Sequence, residues 1–212
     1  DGFLGETQPD AEVISPEQNA DKPAETPPPK PTGVVYRRAP AKINLGLFIQ
    51  GRRADGYHLL ETLYHPAPLA DELAVSIEDF EPACVLRQSG RPIPGDPREN
   101  LILRAYDLLK ADFPEFAPVR IHLHKRIPAG AGLGGGSSDA AAMLSALNEL
   151  FELGQSLEQL SAYAARLGAD VPFFLHQEPM LASGTGTTLR PFPLELPLRI
   201  QLLTPPIHSD TA

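Results

Sequence analysis

Cysteine occurs once in the 212 residues, at Cys84. That excludes an internal disulfide and suits a reducing compartment, and a single Cys is more often a small core residue than a nucleophile. Long apolar runs are missing too. Nothing approaches the roughly 20 residues needed to span a bilayer, and nothing resembles the hydrophobic stretch of a secretory signal, so the cytoplasm is the expected compartment. Basic residues are few: 18 Lys and Arg face 27 Asp and Glu, for a net charge of −9. The balance argues against nucleic acid or an acidic membrane as primary partner, and any phosphate-bearing ligand must be held by local charge. What is present is a 42% hydrophobic chain, enough to bury a core in one large or two small domains.

Residues 1–32 stand apart. Asp1, Glu6, Asp10, Glu12, Glu17, Asp21 and Glu25 face only Lys22 and Lys30, seven prolines interrupt the stretch, and arginine is absent. Such a segment cannot bury enough apolar surface to offset its ordering entropy, and the expectation is a disordered tail rather than a transit peptide. The folded domain is expected over 33–212. Val34–Tyr36, Ile43–Ile49 and Leu59–His65 read as strands, the last two joined by a polar turn from Gly51 to His58. Glu72–Glu78 and Cys84–Gln88 read as a hairpin, and Val119–Lys125 alternates like a half-exposed antiparallel strand. Asn100 is placed to cap one helix, and Ser156-x-x-Gln159 forms a capping box for another that ends at Gly168. Asp170 falls on a turn expected to lead into an apolar strand, and Met180–Ala182, a turn over Ser183–Thr188, and Arg199–Thr204 complete the strands. This irregular alternation indicates an α+β fold.

The stretch from Lys125 to Phe151 organises the rest. Gly130, Gly132, Gly134, Gly135 and Gly136 crowd seven positions, so the backbone must turn tightly or approach something closely. Ser137, Ser138 and Asp139 can cap the helix that follows, whose body includes Ala140, Met143, Leu144 and Leu147. A glycine loop opening a helix offers N–H groups and a dipole to an anion. It is not a Walker A loop, because Gly136 leads straight into Ser137 without the Lys-Ser/Thr pair. Gly130, Gly132 and Gly135 satisfy G-x-G-x-x-G, with Glu152 near the distance of a dinucleotide acid, but the preceding strand is half-exposed rather than buried. Taken singly, Lys42 and Asn44 read as solvent-facing strand residues, Tyr57 and His58 as packing, and Asp170 as a surface-turn acid.

Three separated stretches together resemble the GHMP kinase superfamily over about Pro40 to Ala212: PAKINLGLFIQGRRADGYHLLETL, then ENLILRAYDLLK with IPAGAGLGGGSSDAAAMLSALN, then LGADVPFFL. The resemblance implies a GHMP-type N-terminal domain, with mixed and antiparallel sheet, packed helices and the ribosomal S5 domain 2-like architecture. It implies transfer of the γ-phosphoryl group of ATP, with Mg²⁺, to an alcohol. PAKINL followed by RADGYH points to members whose acceptor is a small branched polyol bearing a cytidine diphosphate group, in isoprenoid-precursor synthesis. A mevalonate- or homoserine-like acceptor, or a nucleotide-binding relic without activity, are the alternatives. On this resemblance Asp170 takes the acceptor's proton, Lys42 lies beside it, Asn44 and Thr211 orient the acceptor, and Tyr57 and His58 hold the cytosine. Pro128, Ala129, Gly130, Ala131, Gly132, Leu133, Gly134, Gly135, Gly136, Ser137 and Ser138 wrap the ATP phosphates, with Lys125 a further phosphate partner; no metal ligands are assigned. Two departures stand out: Thr187 replaces an acid usual after the G-x-G turn, and the family continues past the position of Ala212 into a smaller C-terminal subdomain, whose absence is the expectation here.

Overall fold

Two long antiparallel strands, β1 (Val34–Arg52) and β2 (His58–Ile77), form the spine of the computed structural model, which describes residues 33–52, 56, 58–77, 84–194 and 199–204. The proposed tail, Tyr57 and Thr211 lie outside the described residues. β1 runs along one edge of β2. The other edge is shared: Glu72–Ile77 pairs with β4 (Val119–Lys125), and Thr62–Tyr64 pairs with β5 (Met180–Ser183), both antiparallel. β3 (Val85–Gly90) adds to β4 in parallel, and β6 (Thr188–Pro191) closes the far side on β5.

The helices cover one face of this sheet. α1 (Leu101–Asp112) is capped as expected, Asn100 Oδ1 accepting from Ile102 N at 2.9 Å. α2 (Gly135–Leu150) is the central helix, packed on β1 and β2. α3 (Leu157–Leu167) begins with the Ser156–Gln159 capping box, both reciprocal bonds being present. The core is where periods meet: Leu73 and Val75 of β2 and Val119, Ile121 and Leu123 of β4 alternate inward against Ile102, Ala105 and Leu109 of α1 and Met143, Leu144 and Leu147 of α2. Cys84 packs partly buried at its margin, and burial, with Asp107 nearby, pushes its thiol up to about 12, away from nucleophilic chemistry.

Several expectations are corrected. Glu72–Glu78 and Cys84–Gln88 form no hairpin, because β4 lies between them; alternation identifies a strand but not its neighbour, and placing β4 beside β2 buries both apolar faces under the helices. Phe173–His176 is a short helix, α4, rather than a strand: Pro172 fits a helix start, and Phe174 N and Leu175 N bond back to Val171 O and Pro172 O. Arg199–Thr204 has no regular structure, and the strand after the Ser183–Thr188 turn is β6, which the turn folds directly back onto β5. Ser137, Ser138 and Asp139 do not cap α2. Gly134, left-handed at φ 68°, is the N-cap, so Ser137 and Ser138 already lie within the first turn and Asp139 just beyond it, and no side chain caps the helix.

Candidate active site

A register shift between Pro40 and Ala41 re-aims β1. Proline lacks the ladder N–H and suits such a bulge, and past it Ala41 and Lys42 are both buried although they are adjacent in the strand. Lys42 is therefore 7% exposed instead of pointing to solvent. Its backbone N–H bonds Leu133 O of the glycine loop at 2.9 Å, tying strand to loop. Its ammonium donates to Asn44 Oδ1 at 2.7 Å and stands 3.5 Å from Asp170 Oδ2. Asn44 Nδ2 in turn donates to Thr62 Oγ1 at 2.8 Å, and Thr62 donates to Gly46 O at 2.6 Å. Asp170 sits on the turn ahead of α4, one-third exposed, and accepts from Tyr64 at 2.8 Å on its other oxygen. The result is an ion pair fixed on its protein side and open to solvent on the other.

Beside it lies a cleft of about 710 Å³. One wall is the glycine loop from Pro128 to Gly136, with Ser137 and Asp139; the other is the loop before α1 with Asn100, Leu101 and Leu103. A Cβ at Gly132, where φ is +71°, would meet nothing within 4 Å, so that stretch of loop is open to a ligand. Gly134 is different. A Cβ there would stand 2.6 Å from Phe174 Cζ and 3.2 Å from Lys42 Cγ, so glycine at 134 lets the loop seat against the ion-pair cluster.

Lys125 forms the floor and does not reach out. Its ammonium, 4% exposed, bonds Asp71 Oδ2 at 2.5 Å and Asp139 Oδ2 at 2.7 Å. Asp71 Oδ1 also accepts from the N–H groups of Arg126 and Ile127, at 2.5 and 2.9 Å, anchoring the start of the glycine loop. Lys125 is the one Lys or Arg among the described cleft-lining residues, and with two carboxylates on it the group offers no net positive charge. The expectation of a phosphate-binding lysine is thus replaced by a buried brace. Burial, reinforced by Asp71 and opposed by Lys125, pushes the Asp139 carboxyl up to about 7. Its Oδ1 and the Ser138 Oγ are buried without a partner at the mouth of α2.

The structure therefore brings together Lys42, Asn44, Asp170 and the loop. It leaves His58 exposed at the far end of β2, six residues from Tyr64 and so at most about 20 Å along the strand. Thr187 lies in the β5–β6 turn, its hydroxyl 3.3 Å from that of Thr185. Asp71, Thr62 and Tyr64 were not singled out from sequence. The signal for Asp71 was available, since it alternates in phase with Leu73 and Val75, just as Lys125 does with Ile121 and Leu123; two charges at inward positions of neighbouring strands announce a buried pair. Among the described residues, no three of His, Cys, Asp and Glu converge to hold a metal.

A long β1–β2 pair, a glycine loop opening the central helix and a Lys-Asp pair beside it make up the framework of the site, and residues 100–178 match the family model for the GHMP kinases N terminal domain. The chain belongs to the GHMP kinases. Within them it is similar to the 4-diphosphocytidyl-2-C-methyl-D-erythritol kinase of Bacteroides thetaiotaomicron, 47% identical over 173 residues that make up 81% of this chain and 63% of that protein. The same enzyme of Nitrosospira multiformis is 46% identical over 175 residues, 82% of this chain and 58% of that one. A crystal structure of 4-(cytidine 5'-diphospho)-2C-methyl-D-erythritol kinase superposes with a TM-score of 0.64 at 44% identity, covering 79% of this chain and 61% of that one. Lactococcus lactis galactokinase shares the fold alone, with a TM-score of 0.58 at 15% identity. The chain spans about three-fifths of the length of the kinases it matches.

Proposed function

We propose that this chain supplies the ATP site and phosphoryl-transfer residues of a kinase acting on the 2-hydroxyl of 4-diphosphocytidyl-2-C-methyl-D-erythritol. The observation that carries the reading is the Lys42–Asp170 pair at 3.5 Å, one-third open on its acid, next to a glycine-lined cleft. ATP fits this arrangement. The cleft has room for a nucleotide, Gly132 presents backbone without a side chain, and the uncapped start of α2 supplies donors and dipole for phosphate. Mg²⁺ held mainly by phosphate oxygens and water needs no protein cage, and the unpartnered Ser138 Oγ and Asp139 Oδ1 are oxygen donors suited to it. When bound, the ion would neutralise charge on the phosphates.

In this reading Asp170 accepts the proton of the acceptor hydroxyl as its oxygen attacks the γ-phosphorus, and ADP leaves. Lys42 pairs with the Asp170 carboxylate and offsets negative charge building on the transferred group. Asn44 holds the lysine in place and would help orient the acceptor beside it. His58, exposed at the start of β2, and Tyr57 would hold the cytosine, an aromatic face and a polar ring edge suiting a pyrimidine. Thr211 would orient the acceptor from the C-terminal side. The cytoplasm suits this chemistry.

The test is ATP-dependent phosphorylation of 4-diphosphocytidyl-2-C-methyl-D-erythritol, with mevalonate and homoserine tested beside it. It is run on the chain and on the chain joined to the part of the Bacteroides thetaiotaomicron relative that it does not cover. Selective turnover of the cytidine compound by either form is expected. Turnover of mevalonate or homoserine instead, or of none of the three by both forms, would sink the proposal.

A further inference from the structure

Tyr64 sits where three strands meet, opposite Asn44 of β1 and Met180 of β5. Its ring is 3% exposed and lies 4.9 Å from that of Phe173, the residue that opens α4 just after the Asp170 turn. The Lys42 ammonium lies 5.1 Å from the ring centroid, and the hydroxyl donates to Asp170 Oδ1 at 2.8 Å. From the other side the β5–β6 turn closes in: a Cβ at Gly186, where φ is +95°, would stand 3.3 Å from the Tyr64 oxygen. One side chain thus touches both members of the ion pair and is held by the sheet, by α4 and by a turn.

We propose that Tyr64 is a positioning residue for phosphoryl transfer: its hydroxyl occupies Asp170 Oδ1, leaving Oδ2, beside Lys42, as the oxygen presented to the acceptor. The role rests on Asp170 being the group that takes the acceptor's proton. A carboxylate on a short turn can rotate about its terminal torsion, which is broad, and its two oxygens are then interchangeable. A buried phenol donating to one of them removes that freedom. The phenol stays protonated, because burial and the neighbouring Asp170 charge both hold its proton more tightly than usual. It therefore remains a donor throughout the cycle, losing and gaining nothing while the proton passes from the acceptor to Oδ2. The ring places a second constraint on Lys42, which is attracted to its face, so pair separation and orientation share one determinant.

Tyr64→Phe deletes the hydroxyl and keeps the ring contacts. The expected result is a fall in kcat of about tenfold or more with KM for ATP within about twofold of the original, since the loss acts on the transition state. In an Asp170→Asn background the same change should cost nothing further, whereas a merely structural tyrosine would lower activity by the same factor in both backgrounds. Independently of turnover, the Asp170 carboxyl ¹³C resonance, assigned by its disappearance in Asp170→Asn, should move in Tyr64→Phe. An unmoved resonance, or kcat within twofold of the original while Asp170→Asn is inactive, overturns the positioning role alone. Undiminished turnover in Asp170→Asn overturns the base assignment, and this role with it.

Discussion

Replacing Lys125 by Met keeps most of the side chain's length and removes one charge, at a site where three charged groups are nearly dry. Side-chain exposure is 4% for Lys125, 0% for Asp71 and 2% for Asp139. Losing one partner of a buried ion pair typically costs about 3–5 kcal/mol, because the remaining charge is left unpaired. Asp71 keeps the N–H groups of Arg126 and Ile127, but Asp139, whose Oδ1 already lacks a partner, is left facing only the like-charged Asp71. Asp139 should respond by taking up a proton, so the deficit should widen above pH 7, where keeping that proton becomes harder. For a domain of this size each kcal/mol is worth about 2–4 °C, which puts the loss at roughly 6–20 °C in melting temperature followed by circular dichroism. Adding Asp139→Asn to Lys125→Met should recover part of it, since it also removes the carboxyl that lost its partner and leaves Asp71 with its two backbone N–H donors. Lys125→Met melting within about 2 °C of the original, at both pH 6 and pH 8, would refute the idea that this triad braces the loop.

Asp139 also sets a pH dependence of its own. Its folded-state value, pushed up to about 7, lies above the unfolded one of 3.8, so the folded state holds more protons between those limits and stability falls as pH rises through the window, by as much as about 1.4 kcal/mol per pH unit. Asp139→Asn should flatten that slope in chemical denaturation curves, and an identical slope in the variant would remove Asp139 as its source. Asp170→Asn and Lys42→Met should each lower turnover by 100-fold or more while ATP affinity, measured by calorimetry, stays within a few-fold, because both act on charge that develops in the transition state; an equal loss of ATP binding would place them in the nucleotide site instead. Gly134→Ala should melt well below Gly132→Ala, since its Cβ would collide with Phe174 and Lys42, whereas Gly132→Ala should bear only the left-handed cost of about 1–2 kcal/mol. Equal melting temperatures would mean that the loop does not seat against α4.

The sequence alone determined the parts whose cause is local. Asn100 and the Ser156–Gln159 box cap helices wherever a helix follows, five glycines in seven positions mark a tight turn or a close approach of the backbone, and alternation in Val119–Lys125 shows which side chains face inward. The PAKIN, glycine-loop and GADVP stretches, taken together, were enough to indicate the family. The tertiary structure decided what depends on neighbours. Whether β3 pairs with β2 or β4 is invisible to a period of two; Phe173 starts a helix although the apolar run after Pro172 reads equally as a strand; and whether Lys42 faces water is settled by a bulge at Pro40 that alternation does not foresee. Lys125 shows the difference most directly. Its phase along β4 places it inside, but only the arrival of Asp71 from β2 and Asp139 from α2 makes it a structural brace rather than a hand for phosphate, because the free energy of a buried charge depends on the partners that folding brings to it.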